Sequence, residues 1–506
     1  MKKKTLIPVM LLTSIMALTG CGNNADPSSQ PAGSDSASAS NVDSSTPAQV
    51  GHFDHEVTIK FVQSYSQSYQ AKLQSFVNSF AEIEPNVKIK LEDGWVSGNY
   101  DTIHSQTISD IQTGEYGDLV IAYPDHVVDY IDFGKAVKLD DFMDNAEYGW
   151  TKDEKENDIV QAYLHEGQEF PIEGTYCLPF SKSSEAMFYN ETRLFDSELV
   201  QFLATKGITM NKAYIESLTW EELFGKLCPA FKEYDAAHPS APLITNKEGN
   251  MNSYVGYDSD ANLFITLSQQ YGYGYTSVDE YGEAHLDYNN ASMKNLMKTF
   301  ADASKNGYLR SPGVIGKSYS SNYFKEGNVL FSIGSTAGVK NQVADTFDVG
   351  VTRIPQAAGK AAKLISQGPS VCILNHNNDK DRQLAAWLFY KHLTSTKNTA
   401  SWAIEVGYLP VRSSAYTSEA YSDYCSTEGK DARSTELLTA LNAVYSSSTV
   451  DKVFTTPPFK GSSSARTEVN SLMVNILKDA ADGKTIDDTY LNEKFDLAIN
   501  NTKKDM

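Results

Sequence analysis

The commonest chemistry-bearing groups in this 506-residue chain are its 64 Asp and Glu side chains. Two carboxylates at a set separation across a sugar would hydrolyse a glycosidic bond. Nothing in their spacing singles out such a pair. No Gly-x-Ser-x-Gly, phosphate-binding Gly-x-x-x-x-Gly-Lys, His-Glu-x-x-His or calcium-loop pattern occurs. His165-Glu166 has no second His at metalloprotease spacing, and Tyr271-Gly272-Tyr273-Gly274 lacks the strand and helix of a dinucleotide loop. Cys177, Cys228, Cys372 and Cys425 are too dispersed for a zinc site. They are either buried thiols or cross-links with three possible full pairings. What remains is the chemistry of recognition. The chain has 29 Tyr residues against 5 Trp, side chains that pair an apolar face with a polar edge.

The elements that must position such groups alternate. Val57 to Val62 alternates in polarity and reads as a strand. Leu73, Phe76, Val77 and Phe80 then recur at helical spacing, and Val87 to Glu92 reads as a second strand. Asp118 to Ala122 reads as a strand after a Gly turn, and Ser370 to Leu374 is a short apolar run, hence a buried strand. Asn377-Asn378-Asp379 caps a helix carrying Ala385, Leu388, Phe389 and Leu393. Thr394-Ser395 ends it and caps a second helix, with Trp402, Ala403 and Val406 on its apolar face and Gly407 and Pro410 as stops. Thr219 and Glu222 have capping-box spacing, and Trp220 reads as packing. In an alternating α/β layout, ligands sit at loops after strand C-termini. Tyr65 and Gln67 are therefore candidates.

The length exceeds one typical core and implies two lobes. The formal net charge is -21, which argues against nucleic acids and anionic membrane surfaces as partners. The N-terminus has its own logic. Lys2 to Lys4 precede an apolar run, Leu6 to Leu18, too short for a comfortable membrane span. Leu18-Thr19-Gly20-Cys21 resembles a bacterial lipobox, so Cys21 is the candidate lipidation site. Gly22 to Val50 is rich in Ser, Ala, Asp and Pro and is expected to be a tether without a core.

From Ile365 to Arg412, strand, helix, tight turn, helix and Gly-Tyr-Leu-Pro-Val-Arg follow in an order that resembles the family 1 extracellular solute-binding proteins, receptors of ABC importers. Further segments agree in order: Pro85-Asn86-Val87-Lys88-Ile89, the stretch Thr113 to Val120, Tyr176 to Phe195, Leu218 to Leu223, Phe324 to Val339 and Val349 to Pro355. Gly117 stands where that family has Pro, and Thr336 where it has Trp, so one usual stacking platform is missing or supplied elsewhere.

The resemblance implies an α/β, type II, two-lobed periplasmic-binding-protein-like fold, with the ligand cleft between lobes joined by hinge strands. The expected division is 1–20 leader, 21–50 acylated cysteine and tether, 51–181 plus 336–392 lobe 1, and 182–335 plus 393–506 lobe 2. It places Tyr123 and Asp125 at a sugar-contacting loop, although Asp125 reads equally as a helix cap. The chain is expected to cross first between lobes at Ser181 to Ser184, with Lys182 either a ligand donor or a solvated loop residue. Phe324 to Val339 is expected to cross back, with Gly334-Ser335-Thr336 offering backbone N–H groups. Tyr408 and Arg412 lie past a helix end near the expected cleft; Arg412 binds a hydroxyl, carboxylate or phosphate, or forms a surface ion pair.

The implied function is a lipid-anchored, monomeric receptor on the extracytoplasmic face of the bacterial cell membrane. It takes a carbohydrate, an oligosaccharide by chain length, and delivers it to an ABC permease. It needs no cofactor or metal and contacts no nucleic acid. The alternatives are a secreted carbohydrate-active enzyme and a surface glycan-capture protein without a transporter.

Overall fold

The computed structural model describes residues 51–93, 100–244, 253–316, 319–426 and 453–506. The leader, Cys21 and the Ser-rich stretch lie outside them. Among the described residues no helix is long and apolar enough to cross a membrane.

Two five-stranded sheets organise the body. The first contains β1 (Val57–Gln63), β2 (Val87–Asp93), β3 (Leu119–Ala122), β4 (Leu178–Pro179) and β13 (Ser370–Ile373), in the order β2-β1-β3-β13-β4. β1 runs parallel to β2 and β3, whereas β13 is antiparallel to β3 and β4. The second contains β5 (Glu185–Asn190), β6 (Val255–Tyr257), β9 (Leu309–Arg310), β10 (Phe331–Ser335) and β11 (Val349–Arg353), in the order β11-β5-β10-β6-β9. Two small pairs complete the strands: β7 (Thr276–Val278) with β8 (Ala284–Leu286), and β12 (Leu364–Ile365) with β14 (Val453–Phe454).

Each large sheet has its own apolar core. One gathers Ile59, Phe61, Phe180, Trp387, Phe389 and Trp402. The other gathers Phe188, Trp220, Phe264, Phe331, Met473 and Phe495. These cores correct the expected lobe limits. Val349–Arg353 pairs antiparallel with β5, so it belongs to the second lobe. The helix Thr396–Val406 buries Trp402 and Val406 in the first core. The first lobe therefore includes the segment up to residue 426, and the second includes the segment down to β12.

Local expectations hold at the caps. Asp379 accepts from Arg382 N at 3.1 Å, and Ser395 from Asn398 N at 3.4 Å. Gly407 ends the second helix at φ 89°. Thr219 accepts from Glu222 N at 3.1 Å, but the Glu222 carboxylate turns to Tyr214 Oη and Lys226, so the box is half built. Trp220 is buried and donates to Gln270 Oε1 at 2.8 Å, a packing role. Cys177, Cys228 and Cys372 are buried free thiols.

The chain crosses between sheets at Ser181 to Ser184, between β4 and β5, as expected. It returns at Ser366 to Pro369, between β12 and β13, not at β10, which lies inside the second sheet between β5 and β6. The two crossings run side by side: Ser183 N donates to Gln367 O at 2.9 Å and Gln367 N to Ser183 O at 2.8 Å. Gly368 makes this approach possible. Its φ is +83°, and a Cβ there would lie 1.9 Å from Ser181 O. Gly368→Ala should therefore cost at least about 2 kcal/mol, from left-handed strain and backbone overlap together. Urea unfolding checks this; a loss under about 0.5 kcal/mol, typical of an inert surface change, would mean that the crossings can part freely.

Candidate functional site

Beside the crossings lies a cavity of about 470 Å³, walled by both lobes. From the first lobe come Tyr100 and Asp101, which open the helix Tyr100–Thr113, and Tyr123 to His126, which open the helix Pro124–Asp132 after β3. Glu166 joins them from the end of the helix Gln161–Glu166. From the second lobe come Ser259, Tyr275, the stretch Thr455 to Pro458, and one face of the helix Ser462–Ala481. That face carries Ser462, Ser463, Arg466, Thr467 and Asn470, spaced to lie together on successive turns. At the margin Thr455 Oγ1 donates to Glu169 Oε2 at 2.6 Å, a bond from one lobe to the other.

The first-lobe wall is aromatic and acidic. The Tyr100 and Tyr123 rings meet edge to face at 5.2 Å. His126 is buried, stacks on His104 at 4.5 Å and faces Asp101 at 3.3 Å. Burial alone would lower the His126 pKa, but Asp125, Asp101 and Asp129 together raise it. The hydrogen bond from His126 in turn holds Asp101 below the usual carboxylate range. Glu166 is paired with Lys182. The second-lobe wall is rich in hydroxyls and amides and carries one cation, Arg466. Its guanidinium donates to Asn262 Oδ1 and forms no ion pair among the described residues.

Behind Arg466 lies a buried carboxylate. Asn262 Nδ2 donates to Glu185 Oε1 at 3.1 Å, and Tyr257 Oη donates to the other oxygen. Burial pushes Glu185 up to about 7, against the lowering effect of those two bonds. Its pKa is thus raised in the folded state, so the folded protein holds a proton that the unfolded chain releases near pH 4.3. Stability should fall by a few kcal/mol as pH rises from about 4.3 to about 7. Glu185→Gln should flatten that part of the curve, as urea midpoints at pH 5 and about 8 would show; an unchanged slope would place the proton elsewhere.

Of the expected site residues, the cavity wall includes Tyr123 and Asp125. The other seven stand elsewhere. Tyr65 is buried in the first core, its Oη 2.6 Å from Ser181 Oγ and its ring edge-on to Trp402. Gln67 is exposed at the start of the helix Gln67–Ile83. Lys182 is wholly buried against Glu166. Ser335 caps the turn Thr336–Gln342, and Thr336 Oγ1 accepts from Ser184 N at 3.1 Å. Ser335 is spent on that cap and Thr336 on the crossing. Tyr408 stands behind the wall, its Oη 3.0 Å from Tyr100 Oη. Arg412 is buried on Asp158 at 2.8 Å and Glu154 at 3.1 Å, away from the cavity and not at the surface.

Tyr100, Asp101, Glu166 and Arg466 were not among the expected ligand contacts, and Tyr275 stands at the end of the Tyr-rich stretch Tyr254 to Tyr275, from which the sequence does not single out one stacking residue. The strand-to-loop rule that picked the residues after β1 applies equally to β2 and would have reached Tyr100 and Asp101. The signal for Arg466 was Thr455-Thr456-Pro457-Pro458 followed by an amphipathic helix whose first two turns carry Ser462, Ser463 and Thr467 around that Arg.

The model of the bacterial extracellular solute-binding protein family matches residues 75–427. The chain belongs to that family. Comparison with curated protein sequences gave no match. Among solved structures, the GacH receptor of Streptomyces glaucescens, described unliganded and with acarbose and an acarbose homolog, is 16% identical, with 90% of this chain and 97% of that chain covered and a TM-score of 0.61. UgpB from Mycobacterium tuberculosis, in complex with glycerophosphocholine, is also 16% identical, covers 89% and 98%, and has a TM-score of 0.61. The sugar-binding protein MalE from Xanthomonas citri is 13% identical, covers 88% and 98%, and has a TM-score of 0.64. Such likenesses establish the two-lobed binding-protein fold that the solute-binding family and this chain share.

Proposed function

We propose that this solute-binding protein is a receptor for a neutral carbohydrate, an oligosaccharide, which it hands to an ABC import permease. We also assign the body to the extracytoplasmic face of the cell membrane, held there as a monomer by a lipid on Cys21. The observation that carries the sugar reading is the composition of the two facing walls. One presents the Tyr100 and Tyr123 rings; the other presents Ser462, Ser463, Thr467 and Asn470. Sugars need both, an apolar face for the ring and fixed polar groups for the hydroxyls. The fixed charges are largely matched: Glu166 is paired with Lys182, Asp125 and Arg466 share the cavity, and Asp101 is hydrogen-bonded by His126. A wall so matched suits a neutral ligand. Differential contacts with the closed arrangement are what would drive the lobes together.

Arg466 supports a second reading. An arginine in a cleft with no ion pair among the described residues suits a phosphodiester or carboxylate ligand, and the UgpB structure holds glycerophosphocholine. A thermal-shift screen decides between them, with mono- and oligosaccharides and glycerophosphocholine as ligands and chromatography of the mixtures afterwards. A ligand at 100 times its Kd stabilises the fold by about 2.7 kcal/mol. A shift with one glycan class and no products supports the sugar receptor. A shift with glycerophosphocholine alone replaces it with the phosphodiester reading, and products replace both with a carbohydrate-active enzyme.

A further inference from the structure

Glu166 and Lys182 make an unusual pair for a cleft wall. Glu166 lines the cavity yet is only 6% exposed, and Lys182 is 0% exposed. The Lys182 ammonium donates to one Glu166 oxygen and, at 2.8 Å, to Gly368 O in the return crossing. It also stands 5.9 Å from the centre of the Tyr163 ring. The second Glu166 oxygen has no hydrogen-bond partner among the described residues. That oxygen belongs to a residue on the cavity wall, and an acceptor there gains a donor when the cavity fills.

We propose that Glu166 and Lys182 are the specificity-determining pair of the cleft. Glu166 accepts a hydrogen bond from a ligand hydroxyl, and Lys182 is the positioning residue that holds this carboxyl group in place. The proposal rests on the carbohydrate reading of the cavity and names one subsite within it. Three features set the ligand class. The pair is neutral as a whole, so it draws a hydroxyl without demanding a cation. Asp125 and Glu169 act on Glu166 as like charges, so a ligand carboxylate or phosphate is disfavoured there. The same ammonium grips Gly368, next to Gln367, whose backbone pairs with Ser183 in the other crossing, so a contact at Glu166 bears directly on the crossings.

The titratable groups around Glu166 are Lys182, Asp125, Glu169 and the Cys177 thiol. Burial drives Glu166 upward and Lys182 opposes it. With Lys182 in place the Glu166 carboxyl already stands above its ordinary value, and without Lys182 it would keep its proton to higher pH still. The stability deficit of such a variant therefore grows as pH rises.

The test uses Lys182→Met, Glu166→Gln and the double variant of the whole body. Melting midpoints without ligand are read from pH about 4.5 to about 8, across the carboxylate range and beyond. Maltotriose binding is read by calorimetry. The Lys182→Met deficit against the wild type should widen across that span and become flat in the double variant. Glu166→Gln leaves the buried Lys182 ammonium without its carboxylate, so its midpoint should fall, and it should bind maltotriose about tenfold more weakly or worse, the size of one hydrogen bond to a charged group. A deficit that stays constant with pH overturns the positioning role. Wild-type affinity in Glu166→Gln overturns the ligand contact, and this arm stands even where Lys182→Met fails to fold. If the wild type takes no maltotriose, that counts against the carbohydrate reading, and the pH profile alone then decides on Lys182.

Discussion

Trp402→Ala should lower the unfolding free energy by about 3–5 kcal/mol, the range for truncating a buried aromatic side chain. Trp402 is 1% exposed. Its ring stacks on Phe180 at 5.3 Å and meets the Tyr65 edge at 5.2 Å. Its Nε1 donates to Ser181 Oγ at 3.0 Å, and that hydroxyl also meets Tyr65 Oη at 2.6 Å. The loss is thus more than a void. Ser181 begins the first crossing, so the cavity left by Trp402 opens beneath the segment about which the lobes would move. Trp402→Phe restores part of the volume and leaves Ser181 with Tyr65, so it should cost less than half as much. Urea denaturation of both variants measures this. A cost under about 1 kcal/mol for Trp402→Ala would mean that Phe180 and Tyr65 collapse into the space, as the most adaptable sites do.

Arg412→Met should cost about 2–4 kcal/mol at neutral pH. Arg412 is 3% exposed, and its guanidinium serves Asp158, Glu154 and the Thr394 carbonyl. Breaking a buried pair costs about 3–5 kcal/mol. The figure is reduced here because the Glu154 and Asp158 side chains are 31% and 17% exposed and keep some water. The pH dependence has a definite sign. Burial pushes both carboxyls up, but bonds from Thr151 and Arg412 to Glu154, and from Arg412 and Ser414 to Asp158, hold them below their ordinary values. Their contribution is therefore present above the unfolded carboxylate range and is lost as pH falls through the lowered values. The gap between wild type and Arg412→Met should be full at pH 7 and narrow below about pH 4. A gap under about 1 kcal/mol at pH 7 would make the contact no better than an exposed ion pair.

How much of this was legible in the sequence depends on the range of the interaction. Asp379, Ser395 and Gly407 act on residues a turn away, and their caps stand where the pattern put them. Ser370–Ile373 is apolar because both faces of β13 are covered, and that too is written locally. The cavity is not local. Asp101, Glu166 and Arg466 meet only after the chain has crossed between lobes. Arg412 and Arg466 look alike in sequence, each near a helix end among small polar residues. What separates them is the partner: two carboxylates from residues 154 and 158 claim the first, while an amide holds the second. Thr336 misled for a related reason, since its hydroxyl is spent on the backbone of Ser184, a residue far away in sequence. The expected lobe limits differ from the cores where the helix Thr396–Val406 buries its tryptophan in a different core from the helices Ser462–Ala481 and Asp488–Thr502. The lipobox cysteine and its tether fall outside the described residues.

The central claim is that the inter-lobe cavity binds a saccharide through its Tyr123 and Asp125 wall. The most direct measurement is calorimetric titration of the wild type and of a Tyr123→Ala/Asp125→Ala variant, using the saccharide that gives the largest thermal shift. Tyr123 and Asp125 are half-buried, so the variant should keep a native melting transition. Loss of a stacking face and an acceptor together should weaken binding at least about a hundredfold, or about 2.7 kcal/mol. Undiminished affinity in the double variant would place the saccharide somewhere other than this cavity and contradict the account.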